Sequence, residues 1–234
     1  MTEEKSIFIT ATDTGVGKTT VCGLLLRFLL EHSIKAGYQK WASTGDRENP
    51  ADLESCLQTA GLKVDPTILE LQVPYRFDFP ASPHLSAELE NREIDPEKII
   101  SAYQTMSADH EVLIVEGVGG LLVPLTRDLL LADLLAQLQI PTIIVARSGL
   151  GTLNHTLLTI ESLRSRKIPL GGVIFTDGED DNETLVVDNM KTIAKIGQVE
   201  VLGRLPYYPN LQDLFKSFTP VGEKILKQIN PTVP

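Results

Sequence analysis

Apolar residues recur along this chain in two alternating rhythms. Runs that are apolar at nearly every position, Ile7-Phe8-Ile9, Val112 to Glu116, Thr142 to Ala146, Gly172 to Phe175 and Val199 to Gly203, predict strands buried on both faces, and Lys35 to Lys40 extends the series. Between them the spacing changes to three and four. Val21, Leu24, Leu25, Phe28 and Leu29 fall on one helical face behind Lys18-Thr19-Thr20. Ile99, Ile100, Tyr103 and Met106 fall on another after Asp95-Pro96, where a capping carboxylate precedes a first-turn proline. Further helices are predicted near 50–61, 128–138, 152–166, 182–196 and 219–229, and the proline-rich stretch Pro74 to Pro83 reads as a long loop with a task. Strands alternating with helices specify one α/β domain over residues 1–234, with a mainly parallel sheet covered by helices on both faces. Ligands of such sheets sit at the carboxyl ends of the strands.

Charge narrows the classes of ligand. The 234 residues carry 21 Lys and Arg against 31 Asp and Glu, a net charge of -10, so nucleic acid and anionic membrane surfaces are not expected partners. An anionic small ligand would have to be met by a local positive site. No apolar run approaches the roughly 20 residues that span a bilayer. Met1-Thr2-Glu3-Glu4-Lys5 lacks the basic and apolar regions of a secretion signal, and Cys22 and Cys56 lie in helical patterns without metal-ligand spacing. The expectation is a cytoplasmic protein with reduced thiols.

The first strand runs into Thr10-Ala11-Thr12-Asp13-Thr14-Gly15-Val16-Gly17-Lys18-Thr19-Thr20 and then a helix, the context a phosphate-binding loop requires. Small residues let backbone N–H groups converge on phosphate oxygens, Lys18 reaches the terminal phosphates, and Thr19 offers a hydroxyl to Mg²⁺. Thr12 stands where the usual pattern has its first glycine. Val112 to Val115 ends in Glu116, a carboxylate at a strand end that suits the same Mg²⁺, followed by Gly117-Val118-Gly119-Gly120, which leaves no bulk there.

Together with this loop, Lys40-Trp41-Ala42-Ser43-Thr44-Gly45, Asp52, Pro80-Ala81-Ser82-Pro83-His84, Glu116-Gly117-Val118-Gly119-Gly120 and Gly149-Leu150-Gly151-Thr152-Leu153-Asn154-His155 resemble, in order, the motifs of dethiobiotin synthetases. The resemblance covers Phe8 to about Pro206. It implies a single-domain phosphate-loop enzyme, a cyclo-ligase of biotin synthesis. Such an enzyme uses ATP and Mg²⁺ to join CO2 to 7,8-diaminononanoate through a carbamate and a carbamic-phosphoric anhydride, giving dethiobiotin, ADP and phosphate.

Residue roles carried over by this resemblance are expectations. Lys40, Lys18 and Thr14 stand at the reacting groups. Asp13, Thr14, Gly15, Val16, Gly17, Lys18, Thr19 and Thr20 wrap the nucleotide, with Glu116, Gly119, Thr176 and Pro206. Thr19, Asp52 and Glu116 hold the metal. Lys40, Thr44, Ser82 and Pro83 meet the diamine, whose carboxylate tail is met by Gly151, Thr152, Leu153 and Asn154 from the second subunit of a homodimer. His84 reads as a surface residue and His155 as a support for the fold. Two positions depart from the family. Trp41 replaces a common proline, and Thr176 replaces a base-reading asparagine, so relaxed nucleotide choice is expected, since a hydroxyl lacks the amide's paired donor and acceptor.

Two other phosphate-loop classes compete. Partner-regulated partition-type ATPases carry an early signature lysine, whereas Ala11 to Thr14 contains none. Cobyrinate-type amidase or synthase enzymes append a glutamine-hydrolysing domain, for which this chain is too short.

Overall fold

The computed structural model describes residues 5–229. The acidic stretch Met1 to Glu4 and residues 230–234 lie outside them. In chain order, β1 (Lys5–Ala11) feeds α1 (Lys18–Glu31), and β2 (Ala36–Lys40) and β3 (Ala42–Thr44) precede α2 (Ala51–Thr59). Next come α3 (Leu69–Gln72), β4 (Tyr75–Phe77), α4 (Pro83–Leu89), α5 (Pro96–Asp109), β5 (Val112–Glu116) and α6 (Leu131–Leu138). The chain continues through β6 (Thr142–Arg147), α7 (Thr152–Ser165), β7 (Leu170–Thr176), α8 (Glu183–Ile196), β8 (Val201–Leu205) and α9 (Leu211–Ile229).

Six strands form one sheet in the order β2-β5-β1-β6-β7-β8, with every pairing parallel. All their carboxyl ends therefore open on one edge. Side chains alternate across each strand, and the two cores follow that alternation. Ile7, Ile9, Val112 and Ile114 pack with α1, α2 and α9 on one face. Phe8, Leu113 and Val115 pack with α5, α6 and α7 on the other. Asp95 caps α5 through Glu97 N at 2.9 Å, as the Asp-Pro pair predicts.

The structure adds β3 and α3, which the sequence reading did not name, and changes two segments. Pro74 to Pro83 is not wholly loop: β4 pairs in parallel with β3, and α4 starts at Pro83. Tyr75 and Phe77, both buried, make that segment part of the second core. The helix expected over 219–229 starts at Leu211 and runs through Pro220. A proline inside a helix costs about 3 kcal/mol, but Phe218, Val221 and Ile225 are buried around it, each contributing roughly 1.5–3 kcal/mol.

Candidate active site

Strand parity decides which polar groups meet at the open edge. Tyr38 and Lys40 share the face of β2 that looks toward α1, and Glu116 shares that face of β5 with Ile114. Lys40 and Glu116 are also register partners on neighbouring strands. The start of α1 delivers Lys18 and Thr19 above them, and the first turn of α2 delivers Asp52.

The result is a charge cluster that is buried at Lys40 and Glu116 and opens toward solvent at Asp52. Lys40, with its side chain 4% exposed, donates to Glu116 Oε1 at 2.8 Å and pairs closely with Asp52. Thr19 Oγ1 has one proton to share between Glu116 Oε1 at 2.9 Å and Asp52 Oδ1 at 3.2 Å. Burial acts to lower the Lys40 pKa, but Glu116 and Asp52 outweigh it and hold the ammonium above the ordinary lysine range. Lys40 is thus a fixed cation, unsuited to abstracting a proton. Burial lowers Lys18, whose Nζ donates to Asp13 O at 3.3 Å. For Asp52, burial works upward, yet Lys40 and Thr19 hold the carboxyl below its usual range.

Tyr38 belongs to this cluster and was missed in the sequence. Its hydroxyl donates to Glu116 Oε2 at 2.7 Å, which leaves Oε1 turned toward Thr19 and Lys40. Burial and the nearby Glu116 raise the phenol well above its ordinary pKa, so it remains a donor. The available signal was its position two residues before Lys40 in a strand, which puts both side chains on one face.

Two clefts meet at the phosphate-binding loop. One, of about 760 Å³, is lined by Thr14, Lys18, Thr19, Lys40, Thr44, Asp52, Pro80 to Pro83, Glu116 and Gly119. The other, of about 540 Å³, runs from Gly15, Val16, Gly17 and Thr20 to Thr176 and Leu205 to Tyr208, with Arg147 at its wall. Gly17 has φ +97°, and a Cβ there would stand 3.3 Å from Thr176 Cγ2, so the turn and the crowding both call for glycine.

Thr176 lines the second cleft, but its hydroxyl is occupied. It donates to Val16 O at 2.7 Å, bracing the phosphate-binding loop from below. Asp13 caps its own loop, accepting from Thr14 N at 2.7 Å. Trp41 is fully buried against Phe8, with ring centroids 4.8 Å apart, and serves the core.

The remaining sequence candidates are arranged differently from the expectation. Gly151, Thr152, Leu153 and Asn154 start α7 but line neither cleft within this chain. Thr152 turns inward, its hydroxyl 3.0 Å from that of Thr156, while Asn154 is exposed. His84 is half-buried, its Nδ1 3.0 Å from Ser82 Oγ, rather than a free surface residue. His155, expected to support the fold, is exposed.

The oxygen donors suit a hard cation. Among the described residues no group of three or more His, Cys, Asp or Glu forms a metal cluster. Thr19, Asp52 and Glu116 instead bring one hydroxyl and two carboxylates together. Such a partial oxygen set fits Mg²⁺ that takes its remaining ligands from phosphate and water.

Comparison with known proteins bears on what the clefts hold. Residues 5–214 match the family model described as AAA domain. The ATP-dependent dethiobiotin synthetase BioD of Methanocaldococcus jannaschii is 40% identical over 202 residues, which cover 84% of this chain and 92% of that protein. The enzyme of the same name from Agrobacterium fabrum is 43% identical over 203 residues, covering 87% of this chain and 86% of that one. In fold, the MinC:MinD cell division protein complex of Aquifex aeolicus is similar with a TM-score of 0.61 at 15% identity, covering 95% and 96% of the two chains. No described helix is long and apolar enough to cross a membrane.

Proposed function

Since the chain belongs to the ATP-dependent dethiobiotin synthetase family, we propose that it carboxylates 7,8-diaminononanoate with CO2 and closes the cyclic urea of dethiobiotin, releasing ADP and phosphate. The observation that carries this reading is the meeting of two lysines, a hydroxyl and two carboxylates in a cleft continuous with the phosphate-binding loop. MinD-like proteins share the fold only, at 15% identity, and so add nothing to the partition-type alternative.

The chemistry needs a triphosphate, a carbamate and a substrate carboxylate gathered on an acidic protein. At about 4 Å and an effective dielectric of about 20, each opposed pair of unit charges is worth roughly 4 kcal/mol before desolvation. Lys18 supplies positive charge at the nucleotide's terminal phosphates, and Lys40 supplies it at the carbamate oxygen that receives the phosphoryl group. Thr19, Asp52 and Glu116 would hold Mg²⁺, which when bound neutralises phosphate charge. Thr14, Ser82 and Thr44 orient the amine; its second nitrogen attacks the carbamic-phosphoric anhydride and expels phosphate. Lys40 is well suited to that part because its two carboxylate partners fix its position before any ligand arrives.

The exposed start of α7 would meet the substrate's carboxylate across a homodimer. The Leu153 and Asn154 N–H groups and the positive end of the helix suit an anion. We place the enzyme in the cytoplasm.

Mixing the protein with Mg-ATP, bicarbonate and 7,8-diaminononanoate should yield dethiobiotin by mass spectrometry. Nucleotide turnover that ignores the diamine but rises with DNA or a protein partner would sink the reading. Base choice gives a second test. With the Thr176 hydroxyl committed to Val16 O, kcat/KM for ATP, CTP and GTP should lie within about a hundredfold of one another. A wider preference for ATP would show that some other group reads the base.

A further inference from the structure

One charge network joins two segments that border the amine cleft and has no role in the scheme above. Glu90 follows the last turn of α4, with its side chain 14% exposed. Its Oε1 accepts from Asp78 N at 2.6 Å and from Phe79 N at 3.3 Å, while Oε2 pairs closely with Arg47. Arg47 closes the ring: its backbone N–H donates to Asp78 Oδ1 at 3.1 Å, and its guanidinium lies 3.3 Å from Asp78 Oδ2. One carboxylate thereby ties the segment after β3 to the segment after β4.

Both tied segments border the cleft. Thr44 and Asp52 flank the first, and Pro80 to Pro83 continue the second. The strands beneath them are three residues each, too short to fix two loops unaided. Local preference does not explain the acid either, because a carboxylate at a helix C-terminus faces the negative end of the peptide dipoles. What repays that position is the set of donors gathered around Glu90.

We propose that Glu90, through Arg47 and the Asp78 and Phe79 amides, is a positioning residue that sets the two loops bracketing the amine substrate, an inference resting on the function proposed above. It touches no reacting atom and lies away from the phosphate-binding loop, so its effect should separate by substrate. Removing it frees loops that must then be ordered at each binding event, and the amine's affinity bears that cost.

The test compares Glu90→Ala, Glu90→Gln and Arg47→Gln with the wild type. In Glu90→Ala, KM for 7,8-diaminononanoate should rise at least about tenfold, with kcat within about threefold and ATP affinity within about twofold. Glu90→Gln keeps an acceptor for both amides and loses only the charge that meets Arg47 and, at 3.5 Å, Arg92, so it and Arg47→Gln should show a smaller rise. Hydrogen exchange at the Asp78 and Phe79 amides should quicken in Glu90→Ala more than in Glu90→Gln. If Glu90→Ala fails to fold, the other two variants carry the comparison. An unchanged diamine KM in the folded variants overturns the proposal, as does an equal loss of ATP affinity, which would mark a general structural role. A wild type inert toward the diamine overturns the functional reading itself, and the proposal falls with it.

Discussion

Lys40→Gln should lower kcat/KM at least about tenfold, roughly 1.4 kcal/mol of lost transition-state stabilisation, and should also lower the thermal midpoint in the absence of Mg²⁺. Two effects combine here. Catalytically, the variant keeps a hydrogen-bond donor but loses the charge that meets the carbamate and the transferred phosphoryl group. Structurally, Glu116 is 1% exposed and shares Lys40 with Asp52. Taking one partner from a buried ion pair costs about 3–5 kcal/mol, because the remaining charge is left uncompensated. Added Mg²⁺ should restore part of the lost stability, since a cation among Thr19, Asp52 and Glu116 replaces the missing one, but not the rate. Steady-state kinetics and thermal melts with and without Mg²⁺ measure both; a near-normal rate removes Lys40 from the chemistry.

Asp52→Asn should also slow turnover at least about tenfold, but with a different signature. Asparagine can still accept from Thr19, so the hydrogen bond at Oδ1 survives while the negative charge does not. The variant should therefore require a higher Mg²⁺ concentration for half-maximal rate. Its stability should respond differently to acid as well. The Asp52 carboxyl is held below its ordinary range, because Lys40 and Thr19 outweigh burial. A depressed carboxyl stabilises the fold above its unfolded value of about 4 and loses that contribution as pH falls through the folded value. Wild-type stability should lose this component on acidification, whereas Asp52→Asn lacks it throughout. A Mg²⁺ requirement and an acid profile matching the wild type would exclude Asp52 from the metal site.

The frame of this site was legible because strand parity is a local property. Lys40 and Glu116 each end an apolar run, and a phosphate-binding loop between strand and helix fixes which edge of the sheet they reach. Tyr38 was equally available to that logic, yet a tyrosine in a strand is ordinary core material until its hydroxyl finds Glu116. Thr176 could be located but not interpreted, since its bond to Val16 O joins residues far apart in the chain. The same holds for Arg47 and Glu90, whose pairing has no periodicity to announce it. Pro74 to Pro83 misled for a related reason: three residues of β4 acquire strand character only by lying beside β3.

The ladder between β2 and β5 sets Lys40 opposite Glu116, so these two ends behave as posts sunk in a common floor. A slip of one residue would turn either post to the far side of the sheet, and nothing smaller moves them apart. An enzyme remodelled for a longer or shorter diamine must therefore find the extra room in its roof, among the stretches around Arg47 and Ala81, with the floor plan left as it is.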